Sequence, residues 1–187
     1  MDVAATPAAP AGQAGSDAAG LKNAAGLSDA AGLSDAAGLN RPAVIGDAER
    51  GLVIEQLAKA RHGFAVIPTD YLQGQRASAS CGDEVTVRVG VVGSHLFGLG
   101  WSGHGCAVSL AAASALASLA PGRSVLSFVA LAESYFALVA VGGVPDEVAE
   151  TLFGDAVVFA GIARFPLRAG CATLAWRAAL DAVSPVA

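Results

Sequence analysis

Residues 84–91 read Glu-Val-Thr-Val-Arg-Val-Gly-Val. Val85, Val87, Val89 and Val91 alternate with Thr86, Arg88 and Gly90. Successive side chains on a strand point to opposite faces, so this alternation predicts a half-buried β-strand. Gly93-Ser94 follows, a two-residue hairpin turn with glycine at the first position, where a type II′ turn needs positive φ. His95 to Trp101 is then the returning strand. Gly103-His104-Gly105 breaks it, and Cys106 opens a helix of small residues that Pro121-Gly122 closes.

Working outward, Asp47 to Ala60 reads as a helix with Asp47 as N-cap, ended by Gly63. Residues 64–80 read as an extended or loop connection. After the small-residue helix, a second apolar helix runs to about Val141 and is followed by an acidic turn at Asp146, Glu147 and Glu150. A short segment leads to Gly161, and Phe165-Pro166 precedes a last helix from Cys171 to Val183. Helix, hairpin and then several helices is an α+β order, with helices packed on a small antiparallel sheet. Residues 47–187 form the folded domain in this reading. Residues 1–46 are low-complexity, with Leu21, Leu27, Leu33 and Leu39 six apart and a glycine in every unit. That spacing makes no apolar stripe on a helix and predicts a flexible tail.

The chain has 187 residues, 54% hydrophobic and 14% charged. That is too apolar for a disordered protein and suits one domain. Much of the apolar count is alanine, so the core is expected from the Val, Leu, Ile and Phe of the second half. A net charge of −5 makes a poor polyanion binder and excludes nucleic acid as a partner. Ser124 to Gly142 is apolar enough to need weighing as a membrane span. However, Ser127, Ala130, Ser134 and Ala137 form one small or polar face, which reads as a core helix and leaves no membrane partner. The N-terminus has no Lys or Arg before Lys22 and no continuous apolar run, so it lacks the features of a signal peptide. Three cysteines are an odd number and argue against a paired disulfide framework. The expected location is cytoplasmic, with reduced thiols.

Those cysteines carry the chemistry. Cys81 precedes the first long strand, Cys106 marks the strand-to-helix junction and Cys171 opens the last helix in this reading. A helix N-terminus favours thiolate, the form that binds metal or attacks sulfur. Asp83, two residues after Cys81, adds a hard oxygen donor on the same side of an extended chain. Three thiolates and one carboxylate suit tetrahedral zinc. By spacing alone, three small buried hydrophobes fit equally well, because no Cys-x-x-Cys pair is present. Trp101 and Trp176 read as packing residues, His104 as a solvent-facing turn residue, and the serines of the small-residue helix as having no paired base.

The flanking residues separate the two readings. Cys81-Gly82-Asp83, then Gly103-His104-Gly105-Cys106-Ala107-Val108-Ser109, then Phe165-Pro166-Leu167-Arg168-Ala169-Gly170-Cys171-Ala172-Thr173-Leu174-Ala175-Trp176 together resemble the SufU branch of the IscU/NifU-like family. These proteins assist iron–sulfur cluster assembly. The resemblance implies a three-stranded antiparallel sheet packed with helices, and a metal site made from Cys81, Asp83, Cys106 and Cys171. In the cluster-scaffold branch a histidine lies just before the last cysteine; here Gly170 holds that place. The stretch from Cys106 to Cys171 is also long, as in the SufU branch. Both features imply a zinc-dependent sulfurtransferase that accepts persulfide sulfur from a pyridoxal-phosphate cysteine desulfurase. Cys81 is then the acceptor, and Arg168 matches a basic position that engages the desulfurase. The alternative is a scaffold holding a transient iron–sulfur cluster through the same cysteines.

Overall fold

The structure, a computed structural model, describes residues 46–68, 70–141 and 145–186. The expected flexible tail lies outside the described residues, apart from Gly46. Along the chain come α1 (Asp47–Ala60), β1 (Tyr71–Ala77), β2 (Glu84–Val92), β3 (His95–His104), α2 (Ala107–Leu119), α3 (Val125–Ala140), α4 (Glu147–Phe153) and α5 (Pro166–Val183). Two 3₁₀ turns, Gly154–Phe159 and Ile162–Arg164, link α4 to α5. The three strands form one antiparallel sheet in the order β1-β2-β3, an α+β fold with helices on one face.

The β2–β3 hairpin follows the valine pattern. Val85, Val87 and Val89 are fully buried, and Gly93 turns the chain at φ 58° between the paired residues Val92 and His95. β3 does not break at Gly103 but pairs as far as His104, opposite Glu84. Gly103 holds φ 146°, and a Cβ there would meet Glu84 O at 2.0 Å, so the glycine keeps the ladder together instead of ending it.

The connection expected over residues 64–80 contains a strand, β1, which pairs along its whole length with β2. Its inward positions hide it from the sequence. Gly74 faces α5 with no side chain, and a Cβ there would meet Ala178 O at 1.9 Å. The helix lies directly on the strand backbone. A bidentate pair, Arg76 to Asp181 at 2.5 and 2.7 Å, fastens the same two elements at the surface.

The boundaries of three helices differ from the sequence reading. Gly46, not Asp47, is the N-cap of α1, and Arg61, in the left-handed region at φ 49°, is its C-cap. Gly63 instead lets the chain pass close to β3 and α2, where a Cβ would meet Ala117 Cβ at 2.6 Å. The acidic turn at 146–150 is the start of α4, with Asp146 Oδ1 accepting from Ala149 N at 2.8 Å as N-cap. α5 begins five residues earlier than expected, with Pro166 in its first turn, where the missing N–H costs nothing.

α5 is the central helix and packs on β1, β2, α2 and α3. The core is richer in alanine than expected. Ala111, Ala112 and Ala115 of α2, and Ala172, Ala175, Ala178, Ala179 and Ala182 of α5, are buried. Their small side chains bring helix and sheet backbones together, and density comes from close approach instead of bulk. Large residues fill what the alanines leave: Tyr135 of α3 stacks on Trp176 at 4.1 Å between centroids, and its hydroxyl donates to Ala172 O at 3.1 Å. α3 exposes the expected small or polar face, Ser127, Ala130, Ser134 and Ala137, and buries Phe128, Leu131, Ala132 and Tyr135. No helix among the described residues is long and apolar enough to cross a membrane.

Candidate metal centre

The loop from β1 to β2 carries Cys81, Gly82 and Asp83. Its backbone closes on itself, with Ser78 N donating to Asp83 O at 2.8 Å and Gly82 N to Ser78 O at 3.0 Å. Gly82 sits at φ 71°, a left-handed conformation that glycine adopts without strain. The Cys81 thiol is thereby lifted to the surface and donates to Ser78 Oγ at 3.0 Å. Asp83 is buried, 3% exposed, and turns a carboxylate oxygen toward the same thiol.

Two other elements converge on this loop. Cys106 is the N-cap of α2, as read from the sequence, and its backbone N–H donates to Asp83 Oδ1 at 3.1 Å. Cys171 is buried in the second turn of α5, not at its N-terminus, and its thiol donates to Leu167 O at 3.4 Å, one turn back. The expectation that the helix dipole eases its ionisation therefore fails. Burial and the hydrogen bonds it shares with Asp83, Cys81 and Cys106 push the Cys171 thiol far above the ordinary range. For Asp83, burial pushes the pKa up, but hydrogen bonds from the Cys171 thiol and the Cys106 N–H outweigh it and hold the carboxyl below its usual value.

Cys81 Sγ and Cys171 Sγ lie 3.4 Å apart, and one donor atom each from Cys81, Asp83 and Cys171 fits within 4.8 Å. Among the described residues this is the one cluster of three or more such donors. The Cys106 thiol stands outside it but is exposed and lines the same open depression of about 450 Å³, together with Cys81, Cys171 and Arg168. His104, the last residue of β3, is exposed and not part of the cluster.

The residues fit a metal ion. Asp83 Oδ2 is buried without a hydrogen-bond partner, an arrangement that costs about 1–3 kcal/mol or more unless something occupies it. Two sulfurs and one carboxylate oxygen, with a third sulfur at the rim, form a donor set that zinc accepts.

Gly105 leaves the room that the Asp83 carboxylate occupies. A Cβ on it would meet Asp83 Cγ at 2.8 Å. Gly105→Val should therefore displace the carboxylate and weaken metal binding about 10- to 100-fold, as loss of a supporting contact does at metal sites. Zinc titration with a competing chelator, on a variant shown to melt as the parent does, checks this. An unchanged affinity contradicts the role given to Asp83.

The family model for the NifU-like N-terminal domain matches residues 48–172, which includes every residue of this cluster. The chain belongs to the NifU-like N-terminal domain family. Among relatives, an iron–sulfur cluster assembly scaffold protein, IscU of Streptococcus pyogenes serotype M1, is 29% identical over 140 residues, covering 68% of this chain and 86% of its own. A zinc-dependent sulfurtransferase, SufU of Bacillus subtilis strain 168, is 25% identical over 99 residues, 53% of this chain and 65% of its own, just under two thirds of its length.

Solved structures agree on the NifU-like fold. A hypothetical protein, 27% identical, superposes with a TM-score of 0.64 and covers 72% of this chain and 96% of that one. The putative SUF-system scaffold protein of Fervidobacterium islandicum AW-1 gives 0.57 at 23% identity, over 70% and 93% of the two chains. The N-terminal part of a NifU-like protein from Brucella abortus gives 0.59 at 20% identity, over 72% and 91%. The three-stranded sheet with helices on one face is thus the fold of this NifU-like domain.

Proposed function

We propose that this NifU-like domain serves iron–sulfur cluster assembly as a zinc-dependent sulfurtransferase, working in the cytoplasm with a pyridoxal-phosphate cysteine desulfurase. The observation that carries this is the pairing of an exposed thiol, Cys81, with a buried thiol and carboxylate, Cys171 and Asp83. One sulfur can meet a partner while the other donors stay fixed. Cys81, Asp83, Cys171 and, from the rim, Cys106 would hold the zinc, which has no redox chemistry and favours the deprotonated form of its sulfur donors.

The transfer itself belongs to Cys81. Its thiolate attacks the outer sulfur of the desulfurase's cysteine persulfide. The new bond joins Cys81 Sγ to that sulfur, the donor's sulfur–sulfur bond breaks, and the donor cysteine leaves as thiolate. A sulfane sulfur moves between thiols with no net oxidation. Asp83 and the Cys106 N–H hold the base of the loop still, and Gly82 sets the angle at which Cys81 meets the donor. Arg168, exposed on α5 and lining the same depression, would engage the desulfurase.

The sequence supports this branch through Gly170, which stands where cluster scaffolds of the family have histidine. The scaffold reading, with a transient iron–sulfur cluster as cargo on the same donors, draws support from the IscU relative, which matches over more of both chains. Incubating the full chain with a cysteine desulfurase and cysteine separates them. The proposal expects Cys81 to gain the mass of one sulfur, found by peptide mass mapping. No gain at Cys81, with a stable cluster forming once iron is added, contradicts it.

A further inference from the structure

Beside the thiol depression lies a second, smaller cleft of about 150 Å³, and three arginines line it: Arg50, Arg164 and Arg168. Only one carboxylate, Asp47, shares the lining, where it pairs with Arg164. The cleft thus carries a surplus of positive charge on a chain whose net charge is −5. Arg50 is held rigidly from α1, with Nη1 donating to Val158 O at 2.9 Å and Ala160 O at 2.6 Å, and its Nε is buried with no hydrogen-bond partner. The guanidinium groups of Arg164 and Arg168 each lie 5.0 Å from the ring centroid of Phe165. No ion pair joins Arg168 to a carboxylate among the described residues.

The cleft and the thiol site are continuous. Gly51, Ile54 and Arg168 line both. Arg168 and Cys171 are three residues apart on α5, hence on one face of the helix, one turn from each other. A ligand bound by its anionic end among the arginines would extend its other end toward Cys81. The volume holds a carboxylate on a short carbon chain and not a folded segment of another protein.

We propose that Arg50, Arg164 and Arg168 form an anion subsite that seats the carboxylate of a small thiol whose sulfur reaches Cys81, and that such thiols relieve Cys81 of its sulfur. This rests on the reading of Cys81 as a sulfur carrier. The step balances: the small thiolate attacks the outer sulfur of the Cys81 persulfide, the bond from that sulfur to Cys81 Sγ breaks, the small molecule leaves as a persulfide and Cys81 returns as thiolate. No oxidant or reductant is consumed. Guanidinium groups suit the role because their planar donors match a carboxylate and stay charged at every working pH.

The test needs no desulfurase. Cys81 of the full chain is labelled with neutral dithiodipyridine, the label is assigned by peptide mass mapping, and its release is followed with mercaptopropionate, mercaptoethanol and cysteamine. These thiols are anionic, neutral and cationic at nearly one size. Each rate is divided by that of the same thiol on thiopyridyl-mercaptoethanol, which removes intrinsic reactivity. The proposal expects mercaptopropionate to be favoured over mercaptoethanol by roughly three- to tenfold, with cysteamine slowest. Arg168→Gln and Arg164→Gln should flatten the series, Arg168→Lys should keep part of it, and Asp47→Asn should steepen it. That last change is opposite in sign to anything misfolding would produce. A flat or reversed series in the parent, a series unchanged in both glutamine variants, or a Cys81 that takes no label overturns the proposal. Failure of the sulfurtransferase reading would leave this charge order in place. Failure of the subsite would leave sulfur uptake from a desulfurase untouched.

Discussion

Cys81→Ser is expected to abolish sulfur uptake from a cysteine desulfurase. A serine hydroxyl is neither ionised at neutral pH nor soft enough to attack a sulfane sulfur, so the loss should exceed about a thousandfold. The structure argues against rescue by a neighbour. Cys171 lies 3.4 Å away but is buried, out of reach of a partner's persulfide. Cys106 is exposed, but it stands at the start of α2, outside the tight cluster. Cys106→Ser should therefore keep the sulfur mass on Cys81, where Cys81→Ser shows none anywhere. Equal uptake by Cys81→Ser and the parent, read by intact mass, would remove Cys81 from the acceptor role.

The second large effect concerns metal. Cys171→Ser should lower zinc affinity by roughly a hundredfold or more, because sharing the roughly 10–16 kcal/mol of a four-ligand zinc site gives each ligand about 2.5–4 kcal/mol. Cys106→Ser should cost less, since the cluster of Cys81, Asp83 and Cys171 survives and the Cys106 backbone N–H still donates to Asp83 Oδ1. Chelator competition on the two variants gives the order directly. Cys106→Ser losing as much as Cys171→Ser would mean that the rim thiol is as firmly engaged as the buried one.

How much of this was legible in the sequence depends on whether the signal lay in side chains or in their absence. The valines of β2 and the glycine of the following turn announce the hairpin, because each residue there does one job. β1 is silent because its inward position opposite α5 is Gly74, and nothing in Tyr-Leu-Gln-Gly-Gln-Arg-Ala alternates strongly. α4 is masked by its acidic N-terminus, which conceals the buried Phe153 at its other end. The early start of α5 is masked by Pro166 and Gly170, residues that end helices elsewhere but are tolerated in a first turn and on an exposed face. That error moved Cys171 to a helix terminus it does not occupy.

At the site, residue type and context already group Cys81, Asp83, Cys106 and Cys171, but only the flanking motifs separate a donor set from three small buried hydrophobes. The hydrogen bond from Cys81 to Ser78, the clearance given by Gly105, and Arg50 and Arg164 beside Arg168 escape notice because tertiary packing makes them. A serine three residues before the cysteine is the one local signal that could have pointed to the Cys81 loop.

We propose that Cys81, Asp83, Cys106 and Cys171 hold zinc and not a cluster. The most direct test is the zinc, iron and acid-labile sulfide content of the full chain purified without added metal, with Asp83→Ala alongside. About one zinc per chain, no labile sulfide, and a clear drop in zinc in the variant are expected. Iron with matching sulfide, or a reduced chain that holds no metal, would contradict it.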